Sequence, residues 1–422
     1  ITYNFLMYHI RFIEYLKKSF YLPILALIMI ILAFIFNTPK EIFVGYKNIL
    51  LSSSILTTDY IAIGTLGGAL VNAASILILN LVILRLLNLR MSGLIYAALY
   101  MILGFSFFGK NILNSLPIYI GIYLYAFLNK IPVKNLVISL LFSSGISPLV
   151  SYLIFGFDLA YYISIPLGIG AGIVAGLMVP AISSHTIKFH QGYNLFNVGF
   201  SLGIISLAFN GVLRAFNLRA SEISILSNDH NLFLYLFVAI LALVLLIAGI
   251  ILNPKSFKMI PDLYKRSGRL VSDYIRDYGV SIVMINQASL LTFEILICLI
   301  FKIELNGAIF GTILAVSGFA GAGLHLKNTS FVMLGAILMC LITKTNITST
   351  SIIIGILFSA GVAPIAGRYG IVAGIIAGML HIAILPLCRS FQGGYDLYNN
   401  GFCAGFVACI LIAIIEAFKK ED

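Results

Sequence analysis

Long apolar runs separated by short polar connections repeat from one end of the chain to the other. Tyr21 to Phe36, Leu232 to Leu252 and Gly401 to Phe418 come close to the roughly 20 residues a helix needs to cross a hydrocarbon core. The pattern predicts membrane-crossing helices throughout, with no stretch between them long enough for a soluble domain. The run at 20–36 follows Arg11, Lys17 and Lys18 as in a signal peptide. "NTPKE" stands where a small-residue cleavage site belongs, so the run reads as a first transmembrane helix.

The runs come in two ordered sets. "FNTPKEIFVGYK" (36–47) answers "LNPKSFKMIPDLYK" (252–265), and "TTDY" (57–60) answers "IRDY" (275–278). Gly93, Gly104, Asn114, Gly121 and Lys130 match Gly307, Gly318, Asn328, Gly335 and Lys344 at one constant offset. "FSSGISP" (142–148) matches "FSAGVAP" (358–364), and Gly168, Gly172 and Gly176 match Gly370, Gly374 and Gly378. Directly behind those glycines, "HQGYNLFNVGF" (190–200) returns as "QGGYDLYNNGF" (392–402). Self-similarity of this extent predicts a tandem duplication: a segment 1–19, repeat 20–215, linker 216–230, repeat 231–418 with a basic loop at 253–276, and a tail 419–422.

Each copy holds about seven apolar segments, an odd number, so the second copy enters the bilayer from the opposite side. The fold class expected is an all-α integral membrane protein of two inverted-topology repeats. Charge agrees with inversion: connection 37–58 carries Lys40 and Lys47 offset by Glu41, whereas its counterpart carries Lys255, Lys258, Lys265, Arg266, Arg269 and Arg276. In each copy two short segments flank a turn, "GFSFFGKNILNS" (104–115) and "GFAGAGLHLKNTS" (318–330). Read as a hairpin that dips in and returns, the pair leaves five crossings per copy, still odd. Lys110, Asn114, Ser115, His325, Lys327, Asn328 and Thr329 then lie at depth, where non-helical backbone survives only inside protein or beside water. Asn114 or Ser115, and Asn328 or Thr329, are expected to cap the following helix, whose N-terminus suits an anion. An ordinary loop is the alternative.

The repeated phrase loads the start of a helix with His190, Tyr193, Asn194 and Asn197 in one copy, and with Gln392, Tyr395, Asp396, Asn399 and Asn400 in the other. Such groups in a membrane need partners from protein, water or ligand. Two readings are open: polar helix starts lining a shared cavity, or a buried hydrogen-bonded lock. The glycine series before each phrase reads first as helix packing. Departures from symmetry mark coupling candidates, with Asn194 becoming Asp396 and Ile76 set opposite Glu294. Glu294 could instead pair with Lys302 near an interface. Arg389, opposite Ile187, is either a snorkelling cation or an anion clamp. His381 is either a proton carrier or a satisfied core histidine.

Composition fixes the class. The 422 residues are 61% hydrophobic and 10% charged, with mean hydropathy +1.07, far from soluble domains. The net charge of +11 sits in short connections and forms no basic domain, so it sets orientation and does not indicate nucleic acid. Alternating from a cytoplasmic start leaves most of the 26 Lys and Arg inside, among them Arg85, Arg90, Lys130, Lys134, Lys188, Arg368, Lys419 and Lys420. Both termini are then cytoplasmic. Cys298, Cys340, Cys388, Cys403 and Cys409 lack metal or disulfide spacing. No HExxH, nucleophile elbow or nucleotide-binding glycine loop is present, and Ser183 or Ser184 with His185 is a weak enzyme alternative. No metal and no cofactor are expected.

At GYNLFNVGF, GYDLYNNGF and the two glycine stripes the chain resembles a family of bacterial multipass membrane proteins classed as a domain of unknown function. That resemblance implies no substrate. The two-copy layout looks like elevator-type secondary transporters and, more distantly, urea or formate channels, by architecture alone. The expectation is a transporter of the bacterial inner membrane for a small polar solute, anions included, coupled to protons or sodium through Asp396 or Glu294. A passive channel is the alternative, the lipid bilayer is the medium, and a homodimer is one assembly open to it.

Overall fold

The computed structural model describes residues 21–54, 57–157, 159–218 and 224–418. Segment 1–19, tail 419–422 with Lys419 and Lys420, and part of the linker lie outside the described residues. Repeat 1 comprises α1 (Tyr21–Phe36), α2 (Pro39–Leu50), α3 (Tyr60–Leu86), α4 (Gly93–Phe105), α5 (Ile112–Leu128), α6 (Val137–Ser143), α7 (Ser147–Phe155), α8 (Tyr161–Phe189) and α9 (Asn197–Ala215). Repeat 2 comprises α10 (Asn231–Leu252), α11 (Ile260–Leu263), α12 (Tyr274–Tyr278), α13 (Val280–Ile300), α14 (Gly307–Ser317), α15 (Leu326–Thr343), α16 (Thr350–Phe358), α17 (Ala363–Tyr369), α18 (Ile371–Phe391) and α19 (Asn399–Ala417). Among the described residues ten helical stretches are long and apolar enough to cross a membrane, or eleven if α1 and α2, bent by 117°, form one broken span. α4, α5 and α14 are too short, while α15, the counterpart of α5, just qualifies.

The short helices flank the two expected turns, referred to below as the hairpin turns, and both turns are enclosed by protein. Lys110, Asn114, Ser115, His325, Asn328 and Thr329 are buried, whereas Lys327 is exposed. An ordinary surface loop is therefore not what the chain forms here. Asn72 Nδ2 donates to the Ser106 and Lys110 carbonyls, and Asn286 Nδ2 donates to those of Ala320 and Leu324. Each long helix thus supplies the donors that a turn without helical hydrogen bonds leaves missing.

That correspondence corrects the register of the duplication near its start. Asp59 caps α3 and Asp273 caps α12, so Asp59 and Tyr60 match Asp273 and Tyr274, and "IRDY" lies one turn too late. The backbone confirms the shift: Thr65 breaks α3 at φ 63°, ψ 163°, and Gly279 separates α12 from α13 at φ 87°, ψ 167°. In this register Glu294 stands opposite Asn80 and not opposite Ile76.

The copies exchange their caps. Asp59 accepts from the Gly307 N–H at 3.0 Å, at the start of the other copy's hairpin, and Asp273 accepts from Gly93 N–H at 2.8 Å. Between these ends α4 and α14 lie side by side and antiparallel, as an axis in the membrane plane requires. Contact is at backbone distance: a methyl group on Gly104 would stand 2.1 Å from the Gly311 carbonyl oxygen, and one on Gly93 1.9 Å from that of Gly321. α9 and α19 form the second antiparallel pair, with Gly203 against Phe402 and Gly405 against Phe200. The glycine series of α8 and α18 packs within each copy: Gly176 faces the Ile118 carbonyl and Gly378 that of Val332.

Gly104→Ala is expected to cost about 1–3 kcal/mol through overpacking. Gly211→Ala, in a helix where a methyl meets nothing within 4 Å, stays within about 0.5 kcal/mol. Thermal unfolding in detergent micelles measures both.

Candidate functional site

Both repeated phrases begin with a reversal of the backbone. Gln191 and Gly192 take φ 49° and 82°, and Gly393 and Gly394 take 64° and 82°. The chain then runs into the other copy. Leu195 N–H donates to the Gly361 carbonyl at 2.9 Å, and Leu397 N–H donates to that of Gly145 at 2.9 Å. Gly145 and Gly361 are the centres of "FSSGISP" and "FSAGVAP", where a 3-10 turn interrupts the spans α6–α7 and α16–α17. A methyl group there would stand 2.2 Å from the Tyr398 ring or 2.4 Å from the Phe196 ring. Phe196 packs between Phe319 and Phe358, and Tyr398 against Phe105 and Phe142. Each phrase therefore seals the hairpin turn and broken span of the opposite repeat.

In the first copy the polar side chains are consumed by this lock. His190 Nδ1 accepts from the Gly192 and Asn194 N–H groups, which leaves the hydrogen on Nε2, facing Asn197 Oδ1 at 2.9 Å. Asn194 accepts from Phe196 N–H and donates to the Gly401 carbonyl at 3.0 Å. Asn197 Nδ2 donates to the Ser183 carbonyl, and Tyr193 donates to the Tyr369 hydroxyl. A strap from the basic loop covers the outside. Leu270 N–H donates to the Gly192 carbonyl at 2.9 Å, Arg269 Nε donates to that of Gln191, and the Arg269 guanidinium lies 4.7 Å from the Tyr193 ring centre. The strap also reaches the second hairpin, where His325 Nε2 lies 2.9 Å from the Arg266 carbonyl oxygen. The Tyr278 hydroxyl, accepting from Arg266 Nε, raises that guanidinium's pKa further.

At the equivalent place the second copy borders a cavity among the described residues; the strap's own counterpart, 52–57, includes residues outside those described. A cavity of about 540 Å³ is lined by Arg389 of α18, by Asp396, Asn399 and Asn400 of the phrase, and by Asn210 and Arg214 of α9. Asp396 Oδ1 accepts from Tyr398 N–H at 2.8 Å and Oδ2 from Gln392 Nε2 at 3.3 Å. Asn400 joins Asn399 to His381, whose Nε2 lies 3.1 Å from Asn400 Oδ1. Arg214 donates to the Ser390 carbonyl and Asn210 to that of Phe391. Tyr395 is turned away and packs on Tyr152.

The other expected site residues lie elsewhere. Asn111 and His325, not Asn114 or Ser115 and Asn328 or Thr329, are the helix caps; Asn114 and Asn328 return the bond as third-residue partners in capping boxes. Ser115 donates to the Asn111 carbonyl, and Thr329 to Asn328 Oδ1. Glu294 is buried with both carboxylate oxygens unpartnered, so it forms no pair with Lys302. Its counterpart Asn80 accepts from Tyr119, which with Ser144 leads to the buried Lys110 amine.

Asn210 and Arg214, missed in the sequence, carried a signal: two polar residues one turn apart on an otherwise apolar span share a face. Ser351, also on the cavity wall, carried none.

Residues 38–215 and again 252–417 match the family described as "Protein of unknown function (DUF1576)", and the chain belongs to that family. The two matches fall on the two repeats. No curated protein and no solved structure matches the chain.

In a cysteine-free background Ser351→Cys is expected to react with a membrane-impermeant maleimide from the side opposite to Lys265→Cys in the strap loop. Labelling of both from one side would place cavity and strap on the same face.

Proposed function

Starting from membership of a family whose description assigns no activity, we propose that the protein is a secondary active transporter that moves a small polar solute across a bacterial inner membrane. One observation carries the reading. Two equivalent docks lie at opposite ends of the antiparallel α9–α19 pair; among the described residues one borders a polar cavity and the other is covered by the basic strap. Inverted repeats can exchange such arrangements, each copy adopting the other's conformation, and so present one site alternately to two sides. The basic strap faces the cytoplasm on the rule that retained Lys and Arg stay inside, and both termini then do so as well. The cavity as described faces outward.

Coupling is assigned to Asp396 and Glu294. Asp396 replaces Asn194 in the cavity wall, so a proton or sodium ion there changes the charge that a solute meets. Glu294 is a carboxyl group buried in a membrane protein without a partner, a position that is expensive unless it carries a proton or a cation.

Purified protein in liposomes is expected to accumulate solute when an ion gradient is imposed, and an ionophore is expected to abolish accumulation. Asp396→Asn is expected to lower gradient-driven uptake at least tenfold while binding persists. Uptake in that variant still driven by the gradient would remove Asp396 from coupling. In the cysteine-free background, Tyr193→Cys with Arg269→Cys, bridged by a bifunctional methanethiosulfonate through two disulfides, holds the strap in place. Uptake should stop on cross-linking and return on reduction; undiminished uptake would mean that the strap does not move.

A further inference from the structure

We infer that the cavity binds a small carboxylate that also carries a hydrogen-bond donor, its carboxylate gripped by Arg214 and Arg389 and its donor met by Gln392. The inference deepens the transport reading and rests on it only for the translocation of the bound solute.

Charge is the first ground. Two guanidinium groups and one carboxylate line the cavity. Arg389 is half-buried and, among the described residues, makes no hydrogen bond or ion pair; Arg214 makes one bond of 3.3 Å to a backbone carbonyl. A guanidinium keeps its charge and offers five N–H donors in a planar fork. Two such groups at one cavity, with almost every donor unspent, favour an anion, and the fork matches a carboxylate through paired hydrogen bonds.

The second ground is Gln392. Its side chain is buried, its Nε2 is committed to Asp396, and its Oε1 has no partner. An orphaned acceptor beside a cavity calls for a donor in whatever fills it, because leaving it bare costs its desolvation. Ile352, Ile354, Leu385 and Pro386 supply an apolar wall for carbon, which a bare inorganic anion would not use. The strapped dock lacks this set: Ile187 stands for Arg389, and Glu416 stands for Arg214 and accepts from Gln191 at 2.9 Å. The specificity is thus built into one copy.

Calorimetric binding to the full chain in micelles, with malate, aspartate, succinate, malamide and inorganic phosphate, tests this without requiring transport. Malate or aspartate, which carry a donor, should bind about tenfold tighter than succinate, and malamide and phosphate should bind weakest. Arg389→Gln and Arg214→Gln should each weaken carboxylate binding about tenfold, with melting temperature in the absence of solute unchanged. Arg389→Lys should lose less. Gln392→Met should level malate with succinate. Malamide or phosphate equal to malate, Arg389→Gln without effect in a protein that melts normally, or no binding by any of the five would overturn the inference. Carboxylate binding with no uptake into liposomes would sink the transport reading and leave this one standing.

Discussion

Backbone that leaves the helical path inside a bilayer must find its partners in protein, because the hydrocarbon offers none. Besides the break at Thr65 or Gly279, each copy here leaves that path in three places: a hairpin turn, a span interrupted at Gly145 or Gly361, and a reversal at Gly192 or Gly394. Neither copy can satisfy all three alone. The bonds from Leu195 to Gly361 and from Leu397 to Gly145, with the Asp59 and Asp273 caps, are contributions that each repeat makes to the other. The repeats are therefore obligate partners, and the glycines between them are small because a carbonyl or an aromatic ring already occupies the space a side chain would need.

Within that shared frame the copies have diverged in polarity. Repeat 1 threads Asn80, Tyr119, Ser144 and Lys110 into a buried hydrogen-bonded chain; repeat 2 keeps Glu294 opposite Asn80 and has Met333, Ala360 and Leu324 at the other three positions. The chain ties α3, α5 and the interrupted span of that half together through buried hydrogen bonds. The lone carboxyl in the other half does not, and this is the property a movable proton or cation site needs. The same division recurs at the phrases, paired throughout in the first copy and open to a cavity in the second.

Much of this fold was legible because duplication writes each constraint twice. The constant offset of the glycines exposed the repeats, and the odd number of crossings exposed the inversion. The register near Asp273 was missed because "VSDY" (271–274) and "IRDY" (275–278) both end in the Asp-Tyr pair of "TTDY", and the shared caps at Asp59 and Asp273 with the shared break at Thr65 and Gly279 show which is right. The cap at His325 was missed because a histidine accepting through Nδ1 is an uncommon cap and the asparagine three residues on is a common one, whereas Asn111, itself a favoured cap residue, was passed over for Asn114. For the phrases the choice posed by sequence, lock or site, was between two things that coexist. Similar side-chain patterns met different neighbours, Ile187 and Glu416 at one phrase and Arg389 and Arg214 at the other, which a phrase-by-phrase comparison cannot see.

The geometry also distinguishes the dock that borders the cavity from the other. The docks sit at opposite ends of one antiparallel helix pair, and Asn194 ties the first phrase directly to the Gly401 carbonyl at the start of α19. The Asp396 carboxylate at the equivalent position has no N–H with which to tie itself to Gly199. One tether holds where symmetry allows two, and the end without it is the end that borders the cavity.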